Sequence, residues 1–323
     1  MKILAIKFVQ FGDIVQSLGA FQDISNHYNV KIDILTSSPY KKIFEKMPFV
    51  NNVIISNRSK RNLLKLNKTL NYQKYDLVFE MPGFGCFSKI NPLIRYIIYK
   101  YVVFNNSRLI TCFDVFSKKE INQNYQKKFS DHDWYHAILK KLNIRTQFTY
   151  HSPIIYAQDN SFNPPAIQKP YIFIAPFCSS PKSADHKRWP NFKALMKLLK
   201  KDFPNLNLVV APGPEENKLA DQLPAIKILD NNGKVTSIPQ LIKVINQACY
   251  VISLDTGPAH VACHLGKPGR VLGGKTMEPQ RLALINDDFK IIHFSKKDLN
   301  DVTADEFYVF IKSDLEKHVE ALA

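Results

Sequence analysis

Short apolar runs alternate with helix-patterned stretches along this chain, and that alternation leaves few architectures open. KILAIKFV (2–9), VKIDILTS (30–37), NNVIIS (51–56) and YDLVFEM (75–81) have the character of buried strands. Between them IVQSLGAFQDI, YKKIFEKM and a basic stretch through RSKRNLLKLNKTL carry helical patterning. Strands that alternate with helices build a parallel, doubly wound sheet. DHDWYHAILKKL (131–142) reads as a helix, and residues 146–169, rich in turn formers with Pro153, Pro164 and Pro165, read as a linker. The alternation then restarts. YIFIAPF (171–177), LNLVVAP (206–212) and YVISLD (250–255) are predicted strands. NFKALMKLLKKDF (191–203), EENKLADQL, SIPQLIKVINQA (237–248), GPAHVACHLG (257–266) and a closing stretch over 302–323 are predicted helices, with Pro190 in a first turn. At roughly 100–200 residues per domain, 323 residues make two domains. We place them at 1–160 and 161–323, with the closing helix 302–323 expected to pack back on the first. Tandem α/β halves of this kind take a ligand between them, at the carboxyl ends of their strands.

Composition narrows the class. Hydrophobic residues make up 45% and charged residues 22%, which excludes disordered and collagen-like chains. No run reaches the ~18 apolar residues of a membrane span, and Asp13 interrupts the N-terminal apolar stretch too early for a signal peptide. Cys86, Cys112, Cys178, Cys249 and Cys263 are scattered and odd in number, without CxxC; neither a disulfide framework nor a zinc site is expected, and a reducing cytoplasm fits. The net charge is +16, and it is lopsided. Residues 1–150 hold 23 basic and 10 acidic side chains, net +13, whereas residues 151–323 hold 21 and 18, net +3. An anionic partner for the first half follows, with nucleic acid, a phosphorylated glycolipid and an anionic membrane surface as candidates; plain solubility is the alternative. Residues 89–104, KINPLIRYIIYKYVVF, mix aromatics with Arg95 and Lys100. They suit a membrane interface, although the pattern favours a core helix running into a strand.

Three places could carry chemistry. In Ser253-Leu254-Asp255-Thr256-Gly257-Pro258-Ala259-His260 a strand ends and a helix begins within a few residues, and a helix N-terminus of this kind receives a phosphate or diphosphate. The competing reading is an ordinary turn with an Asp N-cap. Lys187-Arg188-Trp189-Pro190, after Cys178-Ser179-Ser180, lies between the first strand and first helix of the second half, on the same sheet edge. Lys187 can meet a phosphate oxygen there, or the loop is simply solvated. Asp13, beside Gly12 at a strand-to-helix turn, can take a proton from a hydroxyl or can cap its helix. His260 can pair with phosphate or pack within its helix. No P-loop, no GxSxG and no metal-ligand cluster appears.

KILAIKFVQFGDIV, DHDWYHAILKKL, KRWP and SLDTGPAHVACHLGKP, in that order, resemble glycosyltransferase family 9, the lipopolysaccharide heptosyltransferases. The resemblance covers nearly the whole chain. It implies a GT-B fold, two Rossmann-like doubly wound domains facing a cleft. It also implies inverting, metal-independent transfer of heptose from ADP-heptose to the inner core of lipopolysaccharide, with no cofactor. The N-terminal domain would take the acidic acceptor and the C-terminal domain the ADP-sugar donor. By position, Asp13 matches the general base, and Lys187 with the N–H groups of Thr256 and Gly257 would neutralise the departing diphosphate. Asp255 and His260 would fix the turn and touch the donor, Ser179 and Ser180 would contact phosphate, and Glu216 would bind the ribose hydroxyls, with Glu215 a near substitute. The expected location is the cytoplasm, peripheral to the inner membrane. Two departures stand out: Val271-Leu272-Gly273-Gly274-Lys275-Thr276 replaces a Phe-Gly-Pro-Thr loop, and the segment from Ser180 to Lys187 is longer than the commonest pattern. The alternatives are the same chemistry with another nucleotide sugar or glycan acceptor, a sugar-nucleotide binder without turnover, and a nucleic-acid-binding protein. Against the last, no nucleic-acid-binding motif is present and the basic residues are dispersed.

Overall fold

The computed structural model describes residues 1–8, 10–56, 70, 74–81, 107–127, 129–164, 167, 170–178, 187–282 and 286–320. The chain forms two units, 1–157 and 158–323, so the division falls at the end of a short 3-10 helix, Ile154–Ala157.

The first unit holds a five-stranded sheet of β1 (Ile3–Ile6), β2 (Ile32–Thr36), β3 (Val50–Ile55), β4 (Leu77–Glu80) and β5 (Arg108–Ile110). Its order is β3-β2-β1-β4-β5, with every pairing parallel. From β1 the chain winds outward to β3, then returns to the other side of β1 as β4. The order therefore reverses beside β1, and the carboxyl end of that strand is where a doubly wound sheet opens a ligand crevice. β1 is buried at all four positions, as expected for a central parallel strand covered on both faces.

The helix that follows, α1 (Phe11–Tyr28), buries Ile14, Val15, Leu18, Phe21 and Ile24. It stops at Asn29, whose left-handed backbone (φ 52°) lets its N–H return to the last carbonyls. Shorter helices follow: α2 (Lys41–Phe44), α3 (Cys112–Val115) and α4 (Lys118–Gln126). α5 (Asp131–Lys141) starts on a capping box in which Ser130 and Asp133 satisfy each other's backbone N–H groups. α1 approaches the segment after α5 so closely that a Cβ on Gly19 would meet the Phe148 carbonyl oxygen at 1.8 Å.

The second unit repeats the plan with β6 (Tyr171–Ala175), β7 (Asn207–Val210), β8 (Ile226–Lys227), β9 (Tyr250–Leu254), β10 (Gly269–Gly273) and β11 (Phe289–His293). The order is β11-β10-β9-β6-β7-β8, again all parallel, and it reverses between β6 and β9. The helices here are α6 (Phe192–Asp202), α7 (Asn217–Ala220), α8 (Ile238–Gln247), α9 (Gly257–His264), α10 (Pro279–Leu282) and α11 (Ala304–Glu320).

The closing helix α11 packs on α6 of its own unit. Phe307, Ile311 and Leu315 are fully buried in one apolar cluster with Phe192, Leu195 and Leu199, so its apolar stripe completes the second core. Pro190 stands before the N-cap, Asn191, rather than in the first turn. The basic stretch 58–69 and the aromatic stretch 89–104 lie outside the described residues. Cys112, Cys178, Cys249 and Cys263 are all free thiols. Among the described residues no helix is long and apolar enough to cross a membrane.

Candidate active site

In the second unit the reversal point lies between the carboxyl ends of β6 and β9. β9 delivers Asp255 one residue past its end, and α9 begins at Gly257 with Thr256 as N-cap in an extended conformation. The capping position thus belongs to Thr256, and Asp255 is left for other work. Its Oδ2 accepts from Lys187 Nζ at 2.8 Å, and its Oδ1 lies 3.9 Å from His260 Nε2. The ordinary Asp N-cap reading is therefore excluded.

Lys187 arrives from the β6–α6 connection, and the next residues explain why it stops there. Trp189 is buried, donates from Nε1 to the Val302 carbonyl at 2.8 Å, and meets Phe192 and Phe307 edge-on. Asn191 donates to the same carbonyl at 2.9 Å. An apolar anchor with a polar handle is the usual role of a buried tryptophan. The Lys187 and Asp255 side chains remain 38% and 21% exposed, whereas His260 is 7% exposed. An ion pair this wet contributes roughly 0–1 kcal/mol to stability, so it can open for a ligand at small cost. The first turn of α9 adds the partial positive charge of a helix N-terminus.

Glu216 sits on the same sheet edge, after β7. Its Oε2 accepts the Gly213 N–H at 2.7 Å and the residue is half-buried, whereas Glu215 is exposed. Of the two candidates, Glu216 is the one held in place. The Gly274–Thr276 loop follows β10. At Gly273, the last residue of β10, a Cβ would meet Met277 Sδ at 2.1 Å, so the Met277 side chain packs over the glycine. Lys275 pairs with Asp298 at 2.6 Å, and that hydrogen bond holds its ammonium above the usual lysine range. His293 Nε2 lies 3.2 Å from the Gly274 carbonyl oxygen. Ser179 and Ser180 lie outside the described residues.

In the first unit Asp13 is the third residue of α1 and is half-buried. Gln10 occupies the N-cap, so Asp13 is not the cap. The same turn holds a group that sequence reasoning missed. Lys7, the residue after β1, is fully buried; its ammonium donates to Asp131 Oδ2 at 3.3 Å and to the Tyr135 hydroxyl. Two signals pointed to it: a lysine inside the apolar run KILAIKFV, and Asp131 and Tyr135 one helical turn apart in DHDWYH. Among the described residues no group of three His, Cys, Asp or Glu side chains converges as a metal site would require.

Two doubly wound, all-parallel units in tandem are the architecture of the GT-B class, a fold that by itself does not fix an activity. The chain belongs to glycosyltransferase family 9 (heptosyltransferase), whose family model matches residues 63–306. Among solved structures, E. coli heptosyltransferase WaaC with ADP superposes with a TM-score of 0.69 at 17% identity, over 97% of this chain and 100% of that one. E. coli ADP-heptose lps heptosyltransferase II gives a TM-score of 0.66 at 18% identity, over 100% of both chains. The glycosyl transferase family 9 protein from Veillonella parvula gives 0.69 at 14% identity, over 98% of this chain and 97% of that one. At such identities the likeness shows the fold. No curated protein sequence matches the chain.

Proposed function

We propose that this glycosyltransferase moves heptose from ADP-heptose to the inner core of lipopolysaccharide, with inversion and without a metal. The observation that carries the reading is the Lys187–Asp255 pair at the β6/β9 reversal point, beside the N-terminus of α9. Asp13 takes the proton of the acceptor hydroxyl as that oxygen attacks the anomeric carbon. The bond from that carbon to the diphosphate oxygen breaks on the opposite face, and ADP departs with the electron pair. Lys187 turns from Asp255 to the diphosphate, and the backbone N–H groups of Thr256 and Gly257 share the developing charge. Asp255 and His260 hold the turn and face the sugar, Glu216 takes the ribose hydroxyls, and Ser179 and Ser180 take phosphate oxygens. The +13 balance of residues 1–150 supports an acidic acceptor and an anionic membrane surface as partners, at the cytoplasmic face of the inner membrane. Solved structures hold E. coli WaaC with ADP and with ADP-2-deoxy-2-fluoro heptose, which supports an ADP-sugar here. The Gly273–Thr276 loop, pinned by Lys275 to Asp298, favours a second reading with the same chemistry and a different nucleotide sugar.

The test is ADP release from ADP-heptose with heptose-deficient lipopolysaccharide as acceptor, with Asp13→Asn run alongside. The expected result is acceptor-dependent release that falls roughly 100-fold or more in the variant and is indifferent to EDTA. ADP binding without release would move the search to other sugars, and an EDTA-sensitive rate would overturn the metal-independent reading.

A further inference from the structure

At the carboxyl end of β1 a positive charge is sealed inside the protein. Lys7 has no exposed side-chain surface and Asp131 has 4%. The Tyr135 hydroxyl, which accepts from Lys7, donates in turn to Asp131 Oδ2 at 3.0 Å. The ammonium lies 4.9 Å from the Tyr135 ring centroid. Taking such a pair out of water is costly, and apolar side chains of similar volume commonly serve stability as well or better. Stability alone therefore does not account for it.

Its place in the fold does. Lys7 opens the short connection from β1 to α1, and Asp13 lies in the first turn of that helix. Asp131 and Tyr135 occupy the first and fifth positions of α5, one above the other on one face. Further along α1, buried Asp23 accepts the backbone N–H groups of Gln147, Phe148 and Thr149, in the segment that follows α5. The stretch from Lys7 to Asp23 is thus tied to α5 and its sequel at two separated points, and Asp13 stands between them.

We propose that Lys7, Asp131 and Tyr135 are positioning residues. They hold the β1–α1 turn, and through it the Asp13 carboxylate, in the geometry that proton removal from the acceptor hydroxyl requires. All three are buried and are assigned no contact with substrate. The proposal rests on the reading of Asp13 as the base.

The test uses the full-length protein in two variants, Tyr135→Phe and the charge-neutral pair Lys7→Met with Asp131→Asn. Each is made alone and in an Asp13→Asn background. Turnover, donor KM, ADP affinity and thermal midpoint are measured for all. The expected result is a kcat about 3–10-fold lower for Tyr135→Phe and about 10–100-fold lower for the pair, as small misplacements of a catalytic group produce. Donor KM, ADP affinity and the midpoint stay near the parent values, and neither variant lowers the rate further in the Asp13→Asn background. Parent-like turnover in Tyr135→Phe and in the pair, with a collapsed Asp13→Asn, overturns the positioning proposal alone. So does an equal fractional loss with and without Asp13. If the pair variant does not fold, Tyr135→Phe decides by the same criteria. Near-normal turnover of Asp13→Asn by itself overturns the base reading instead.

Discussion

The two sheets present the same chemical pair at their reversal points, in opposite surroundings. After β1, Lys7 meets Asp131 in a dry pocket closed by Tyr135; after β6 and β9, Lys187 meets Asp255 where both reach solvent. The first pair is buried away from bulk solvent and acts as a fixture. The second exchanges partners cheaply, because solvent screens the bond and compensates each charge when it breaks. Burial, more than bond length, decides whether a lysine–aspartate contact belongs to the scaffold or is available to a ligand.

That contrast can be broken, and the largest effect is expected in the dry pocket. Lys7→Ala leaves Asp131 buried without its cation, and stability should fall by about 3–5 kcal/mol, read as a shift in a urea unfolding midpoint. A loss below ~1 kcal/mol would mean the pocket admits water. Lys187→Ala should behave the other way. Its unfolding midpoint stays close to the parent, while ADP binding, followed by calorimetry, weakens by about 1.5–3 kcal/mol; unchanged ADP affinity removes Lys187 from the diphosphate. Glu216→Gln keeps size and removes charge, so ADP should bind weaker by about 1 kcal/mol, and an equal loss for Glu215→Gln would erase the distinction between them.

The smallest effect concerns acid. Glu306 accepts from Lys297 and caps α11 through Thr303, and these hydrogen bonds, that of Lys297 foremost, hold its carboxyl down at about 2. A depressed carboxyl stabilises the fold above its unfolded pKa, near 4.5, and that contribution is lost as pH falls through the folded value. Glu306→Gln should therefore flatten a shallow slope of stability between about pH 4.5 and 2. A slope unchanged in the variant would assign it to other carboxyls, Glu120 first, which Lys141 holds at about 2 in the same way.

The class of fold was legible because buried parallel strands read as apolar runs and each is followed by a helix. Their order was not, since pairing joins strands distant in the chain: Ile172 lies against Tyr250. β8 has two residues and β5 three, too short for any period to register, and β11 (FKIIH) is broken by polar Lys290 and His293 at its exposed positions. At the site, the turn block and KRWP marked the edge, but only the start of α9 at Gly257 separates a capping aspartate from one that meets Lys187. The Lys7–Asp131 pair spans 124 residues, beyond any spacing rule. What the closing helix packs on was not legible for a related reason: an apolar stripe declares that a helix is covered without saying by what.

The hold that Trp189 and Asn191 take on the Val302 carbonyl has a consequence for how the protein is made. A ribosome extrudes the lysine loop well before the residue that anchors it, which lies 113 positions downstream of Trp189. During that interval the nascent second sheet carries Lys187 on a loop with its anchor still missing. The Lys187 loop, proposed above to meet the nucleotide, is therefore among the late parts of the molecule to mature, and a premature stop codon ahead of position 302 would yield a product lacking that anchor, however much of the upstream sheet had already formed.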